Sequence, residues 1–353
     1  MREFLEKYHL YGKRVAVGVS GGADSLALAL RMAEAGVNVI ALSVDHKLRP
    51  ESRSEADYVA QIMQHYKIEH HILEWSGEKP TSGLEAAARE ARYGLMLDFC
   101  HCHDIKYLAT GHHLRDQAET FLLRLLRGSG VIGLSGIQPC IRRDGIMIIR
   151  PQLGDHPDEL RQFLQQKNIR WIEDPMNDEE NYMRVKIRKF LPELQQIGID
   201  EKRLAATAET LRQTREFLET QRDDFIAQYV RYFGGCTAAV TFARLIKSPR
   251  EIARLVLDEL IRKIGDKHYS PEAAVTNRIL QAGTNFKGCT AGGCELLVAS
   301  KKLWIIPQIN DTEVMSLRQW REFSCGQDDL KCCGLPYKVR RAIKIYREKN
   351  EQR

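Results

Sequence analysis

The stretch Arg14-Val15-Ala16-Val17-Gly18-Val19-Ser20-Gly21-Gly22-Ala23-Asp24-Ser25 decides how this chain is read. Val15 to Val19 is a short apolar run rich in β-branched residues, which predicts a buried strand. Ser20, Gly21 and Gly22 follow at once. Leu26, Ala27, Leu28, Ala29, Leu30, Met32 and Ala33 then continue as a helix that Gly36 ends. A strand, a glycine turn and a helix start together make an anion site. Glycines let the backbone close in, and free N–H groups with the helix dipole favour phosphate. The commoner phosphate loop is excluded, because it needs a Lys-Ser/Thr pair and the next lysine is Lys47. A dinucleotide fingerprint is absent too, since Gly18, Gly21 and Gly22 are wrongly spaced. The plain structural alternative is a tight turn capped by Asp24.

Outward from this loop, strands and helices alternate. Val37 to Val44 predicts a strand that delivers Asp45 and His46, and residues 52 to 66 predict a helix. Glu69 to Trp75 alternates as a strand. Leu84 to about His101 is a helix carrying Arg89 and Arg92. Ile105 to Thr110 is a fourth strand ending in Gly111-His112-His113, and Asp116 to Arg127 is a further helix. This order predicts an α/β fold with right-handed crossovers and a parallel sheet, whose ligands lie beyond the carboxyl ends of the strands. Ser20 to Ser25, Asp45-His46 and His112-His113-x-x-Asp116 all fall at those ends. Asp24 and Asp116 are a carboxylate pair suited to Mg²⁺ through phosphate oxygens. Magnesium prefers oxygen, so His112 and His113 are better placed for orientation or substrate contact than for metal. Asp116 is equally suited to capping the helix behind it. Arg89 and Arg92 share a helix face, as do Arg184 and Arg188. Both pairs suit a phosphate or an RNA backbone as well as a solvated surface.

A chain of 353 residues predicts two or three domains. The net charge of +6 is concentrated at the end, where eight Lys/Arg and two Glu between Lys331 and Arg353 give +6 on their own. Such a tail fits polyanion contact or a solvated terminal helix. Nine cysteines without a secretory signal point to reduced thiols, and no C-x-x-C occurs. Cys100-His101-Cys102-His103 looks like a metal cluster but falls near a helix end, where neighbours point apart. The charged start and the lack of a long apolar run make the cytoplasm the expectation. Past Pro151 the pattern changes. Asp158 to Lys167 is a short helix, and Trp171 to Asn177 is a polar loop. A basic helix from Arg184 ends near Pro192. Lys202 to Arg231 is a long helix with Leu204, Leu211, Phe217 and Phe225 among its apolar positions. Helices near 249–264 and 271–282 follow, then a hairpin of Cys294–Ser300 and Leu303–Pro307 turning at Lys301-Lys302. The expected division is 1–197, catalytic, and 198–353, mostly helical with a β-hairpin.

The Ser20–Ser25 loop resembles the signature of the N-type ATP pyrophosphatases. In them this loop, here including Ala23, holds the pyrophosphate of ATP, and the residue at Asp24 helps bind magnesium. Further motifs follow in order: Asp45-His46-x-Leu48-Arg49-Pro50-Glu51-Ser52, Glu85-Ala-Ala-Ala-Arg89-x-x-Arg92-Tyr93 and Ala109-Thr110-Gly111-His112-His113-x-x-Asp116-Gln117-Ala-Glu119-Thr120. Leu122-Leu123-Arg124-Leu-Leu-Arg127-Gly128-Ser-Gly130, Arg150-Pro151, Glu173-Asp174-Pro175-x-Asn177, Arg184-x-x-x-Arg188 and Leu191-Pro192 complete the series. Over roughly residues 12 to 195 the chain resembles the bacterial tRNA(Ile)-lysidine synthetases.

That resemblance implies a PP-loop catalytic domain and a tRNA-binding extension. It also implies ATP-dependent adenylation of the wobble cytidine of tRNA(Ile) with a CAU anticodon, then attack by free lysine to give lysidine. Arg92 and Arg184 are the candidates for steadying the adenylate. Asp45, Glu85 or Glu119 would hold lysine, with His46, Arg89, His112, His113 and Arg188 toward substrate or tRNA. Some members are homodimers. Two departures stand out: Lys47 replaces a usual glycine, and the chain is shorter than the long forms. Two alternatives stay open. One is a PP-loop tRNA cytidine thiolase, which generally carries C-x-x-C pairs. The other is a non-catalytic tRNA-binding protein.

Overall fold

In the computed structural model the described residues are 1–47, 52–76, 79–80, 83–173, 183–267, 271, 273–308 and 335–351. The motif residues Leu48-Arg49-Pro50-Glu51 and Asp174-Pro175-x-Asn177 lie outside them, as does the side chain of Glu85. The chain divides into two compact units, Met1–Arg215 and Glu216–Arg353.

The first unit is built on β1 (Arg14–Gly18). Val15 and Val17 face one core, with Leu26, Leu30 and Met32, while Ala16 faces another, with Met96, Leu97 and Leu108. Burial on both faces is why this strand reads as a continuous apolar run. Around it lie α1 (Arg2–Lys7), α2 (Ala23–Glu34), β2 (Asn38–Asp45), α3 (Ser52–His65), β3 (Glu69–Glu74), α4 (Leu84–Cys102) and β4 (Tyr107–Ala109). Next come α5 (Leu114–Leu126), α6 (Val131–Leu134), β5 (Cys140–Arg143), β6 (Ile146–Ile149) and α7 (Pro157–Gln166). The sheet order is β3-β2-β1-β4-β6-β5, parallel except for the antiparallel edge strand β5. Successive strands leave β1 in opposite directions, so the crevice beyond the carboxyl ends of β1 and β4 is a topological switch point.

All four expected strands are present. The β5–β6 hairpin was not anticipated. It turns at Asp144 (φ 47°) and Gly145 (φ 78°), the Asp-Gly pair that a two-residue hairpin turn favours. The basic helix, α8 (Met183–Gln196), runs through Pro192 rather than stopping there. Leu191 beside that proline packs on Ala118, Phe121, Leu204 and Ala208, and this burial holds the helix through the missing N–H.

In the second unit the expected single hairpin is part of a larger sheet. α9 (Glu201–Tyr229) leads into β7 (Val230–Phe233) and β8 (Thr237–Thr241), followed by α10 (Phe242–Lys247), α11 (Arg250–Ile264) and α12 (Ala273–Ala282). β9 (Gly288–Ala291), β10 (Cys294–Ala299) and β11 (Lys302–Pro307) complete an antiparallel sheet of order β7-β8-β11-β10-β9. The hairpin turns at Ser300 and Lys301, both left-handed, one residue earlier than expected. On α9, Leu204 and Phe225 are buried as read, but Phe217 is exposed. The basic tail forms α13 (Tyr337–Glu351), whose Val339, Ala342 and Ile343 pack on Cys236, Ala239, Trp304 and Ile306. Among the described residues no helix is long and apolar enough to cross a membrane.

Candidate active site

The Ser20–Ser25 loop joins β1 to α2. Gly21 has φ +89°, and a Cβ there would overlap the Ile172 side chain, so both conformation and space demand glycine. Ile172 donates its N–H to the Gly21 carbonyl at 2.9 Å. Ser25 Oγ accepts the Ser20 N–H at 3.1 Å and donates to the Gly22 carbonyl at 3.0 Å. Gly22 is the N-cap of α2 and supplies no side-chain cap, which leaves the first N–H groups of the helix for an anion. Two residues press the loop from behind. A Cβ on Gly111 would sit 3.1 Å from the Ser25 nitrogen. Fully buried Gln152 donates Nε2 to the Asp24 carbonyl at 2.7 Å.

Beside the loop, one imidazole joins the two predicted carboxylates. His113 is the N-cap of α5. Its Nδ1 accepts the Asp116 N–H at 3.4 Å, while Asp116 Oδ2 accepts the His113 N–H at 3.0 Å. Asp116 therefore does cap α5, as the structural alternative holds. With Nδ1 an acceptor, Nε2 faces Asp24 Oδ2 at 3.4 Å. Burial alone would lower the His113 pKa, but the Asp24 hydrogen bond and the charges of Asp116, Asp24 and Glu119 raise it above the usual value. Both carboxylates keep exposed surface, 39% for Asp24 and 25% for Asp116. Two partly exposed carboxylates at a phosphate cradle match the oxygen-only preference of Mg²⁺, which usually takes one or two carboxylates plus phosphate and water.

The other wall is cationic. Burial, and then the charges of Arg150, Arg89, Arg92 and Arg184, hold His112 well below the usual histidine range. Its Nδ1 lies 3.0 Å from Thr110 Oγ1. His46 is lowered by burial and by Arg92, and packs edge-on against Trp75. Arg92 is lowered by burial and by Arg89, with only Tyr93 favouring its charge. No carboxylate pairs with Arg89, Arg92 or Arg184 among the described residues. Glu119, almost fully buried, takes the Arg188 guanidinium at 2.9 Å; burial still raises its pKa, partly offset by Arg188.

Asp45 turns away from this group. Its Oδ1 accepts Ser52 Oγ at 2.6 Å and the Lys47 N–H at 2.8 Å. Burial opposes its ionisation, but those bonds and the Lys47 and Arg53 charges lower its pKa. Lys47 itself has φ +51°, the conformation glycine adopts without cost, and its Nζ reaches Glu74 at 2.7 Å. The lysine thus occupies a glycine position and recovers part of the strain through a surface pair. Gln117 and Arg124 are also structural. Gln117 brackets Ile137 through its N–H and carbonyl, and Arg124 donates to the Gly133 and Gly136 carbonyls at 2.6 and 2.8 Å.

Gln152 is the residue that the sequence reading misses, and Arg150 enters it as a motif residue without a role, because β6, which delivers both to this end of the sheet, is not evident; the Asp144-Gly145 pair is the available signal. Cys100 is buried, with its thiol pushed up to about 12, whereas Cys102 is exposed. Among the described residues no group of three His, Cys, Asp or Glu is arranged to hold a metal.

Residues 1–194 match the family model of the PP-loop domain. The chain is 35% identical to the tRNA(Ile)-lysidine synthase of Ruegeria pomeroyi, over 87% of this chain and 74% of that protein. It is 34% identical to the protein of that name from Wolbachia pipientis wMel, over 89% and 77%. It is also 34% identical to the one from Methylobacterium nodulans, over 83% and 90%. Among solved structures, the U34-tRNA thiolase of Methanococcus maripaludis, with its 4Fe-4S cluster, aligns with TM-score 0.52 at 19% identity. That alignment covers 60% of this chain and 76% of the thiolase, a likeness of fold.

Proposed function

This chain belongs to the tRNA(Ile)-lysidine synthase family, and from that premise we propose how its site works. It is an ATP-dependent ligase that converts the wobble cytidine of tRNA(Ile) with a CAU anticodon to lysidine. The first half-reaction joins AMP to the C2 oxygen of the base and releases pyrophosphate. In the second, the ε-amine of lysine attacks C2 and AMP leaves. The observation that carries this reading is one end of the sheet that holds both an anion cradle and an arginine wall to which no carboxylate among the described residues pairs.

In this proposal the free N–H groups of Gly21 to Ser25 and the start of α2 receive the triphosphate. Asp24 and Asp116 would hold Mg²⁺, which offsets the charge that builds on departing pyrophosphate. Arg92 and Arg184 face the phosphoryl group in transfer. Among the described residues no carboxylate takes up their charge, so an anion gains more from it. His112 stays neutral and leaves that positive field unshared. Arg188 is fixed by Glu119, which supports a positioning role for both. Asp45 and Glu119 have protein partners already, which weakens the expectation that either holds the lysine ammonium. The target base lies in a single-stranded loop and can be splayed into the crevice. The domain split at residue 197, a homodimer and a cytoplasmic setting belong to the same proposal.

Neither alternative gains support. A cluster-bearing thiolase is not favoured by a chain without C-x-x-C, and a bare tRNA binder has no use for an intact loop. The test incubates the protein with tRNA(Ile) transcript, α-labelled ATP and lysine, followed by nucleoside chromatography. Lysidine should form only with free lysine and disappear in Asp24→Ala. Bound tRNA with no pyrophosphate release would overturn the enzymatic reading.

A further inference from the structure

Among the described residues no carboxylate pairs with Arg89, Arg92 or Arg150, yet these three and Arg143 gather around one residue. Tyr93 is on α4 and buried in the core of β1, β4 and β6 with Met96, Leu97, Leu108 and Ile148. The guanidinium carbons of Arg89, Arg143 and Arg92 lie over its ring, 5.3, 5.7 and 5.9 Å from the centroid. Arg150, itself buried, donates to the Gln138 carbonyl at 2.6 Å, and the Tyr93 hydroxyl favours its charged form. Of these four, Arg143 is paired with Glu90 and Asp144. For Arg89, Arg92 and Arg150 no carboxylate partner occurs among the described residues. They are also three of the four arginines whose charge reaches His112, the other being Arg184.

A carboxylate would order these side chains but would cancel the charge a phosphate needs. An aromatic face orders them through its quadrupole and adds no net charge. We propose that Tyr93 is the positioning residue of the arginine wall. Its ring holds Arg89 and Arg92 toward the crevice, so that the cations meet the transferring phosphoryl group already in place. The ring is anchored in the apolar core, so its position does not depend on ligand. This inference rests on the proposed adenylation, and Tyr93 itself touches no substrate.

The test substitutes the ring electronically rather than sterically. Tyr93→Phe keeps the face and removes the hydroxyl. Mono-, di- and trifluorinated phenylalanine at the same position then weaken the face stepwise with almost no change of shape. Tyr93→Leu removes it altogether. The readout is pyrophosphate release that depends on tRNA(Ile) transcript, with kcat and the KM for ATP measured separately and melting temperature measured in parallel. Tyr93→Phe should retain most of kcat. The fluorinated series should lose kcat in step with fluorine number, reaching about 30-fold at the last member. KM for ATP should move much less, because the Ser20–Ser25 cradle is intact. Flat kcat across a series that melts like the wild type overturns the proposal. So does a Tyr93→Phe variant as inactive as Tyr93→Leu, since the hydroxyl or the packing would then be the whole effect. If the wild-type protein itself releases no pyrophosphate, it is the adenylation reading that fails. In that case the series is scored by the affinity of the folded protein for inorganic phosphate, which must weaken with fluorination or the positioning role falls as well.

Discussion

Gly21 shows how much one missing methyl group decides. Its φ of +89° costs a side-chain-bearing residue about 1–2 kcal/mol, and the added Cβ would also drive into Ile172. Gly12 has nearly the same strain, φ +67°, with nothing within 4 Å of its would-be Cβ. Gly12→Ala should therefore lower the melting temperature by a few degrees and leave pyrophosphate release intact. Gly21→Ala should reduce release by two orders of magnitude or so, because the Ile172 anchor and the N–H groups aimed at the anion shift together. Equal effects of the two variants would mean that the cradle has no special geometry. The cradle was legible because its chemistry is local: Ser20, Gly21, Gly22 and Asp24 are adjacent in sequence and need one backbone conformation. Gln152, and the role of Arg150, were illegible for the opposite reason, since only the strand pairing of β6 with β4 brings these residues to the site.

At the scale of elements, α11 and α12 are joined by a buried charge that the sequence does not reveal. Asp258 is buried and takes Arg254 at 2.6 Å, with Thr276 of α12 close enough to favour its ionised form and Glu251 nearby. Burial outweighs Arg254 and Thr276, and its carboxyl is pushed up to about 6. An acid whose folded pKa is raised binds its proton more tightly in the native state. The fold is thus stabilised as pH falls through about 6 toward the unfolded value near 4, and carries the penalty of the ionised form above it. Asp258→Asn cannot titrate there. Its stability relative to wild type should rise by up to about 3 kcal/mol between roughly pH 4 and pH 7, discounted by the lost charge on Arg254. Denaturant melts at several pH values measure this, and a constant difference would show that Asp258 stays ionised throughout. Sequence spacing placed both helices within a few residues, since apolar periodicity is strong in each. It gave no sign of the Asp258–Thr276 link, because a charged residue at position 258 reads as solvent-facing until the partner helix is in place. The same limit hid β8, whose pairing with β11 is non-local, whereas β7 and β8 form a local hairpin that the Gly234-Gly235 pair could have signalled.

For the molecule as a whole, the charge distribution sets how RNA affinity responds to salt. The +6 of the last 23 residues stood out in composition, but composition could not say which cations reach solvent. Folding of α13 sorts them. Arg340 is drawn into the unit, Lys338 is exposed but pairs with Glu295, and half-buried Lys344 meets Glu348 at 3.5 Å. A helix with one apolar side thus turns part of an even-looking basic run into structure and leaves part for a polyanion. Contacts to phosphate release counterions, so log affinity falls with log salt in proportion to the number of phosphates engaged. Lys344→Gln, at a position that keeps part of its side chain in solvent, should weaken binding of the tRNA transcript modestly. It should flatten that slope by about 0.7–0.9 if Lys344 meets one phosphate. Arg340→Gln should instead act on melting temperature, since its side chain is buried in the fold. Equilibrium binding from low to moderate salt separates the cases. If neither variant alters the slope while both lower the melting temperature, α13 is a structural helix alone and the RNA is gripped elsewhere.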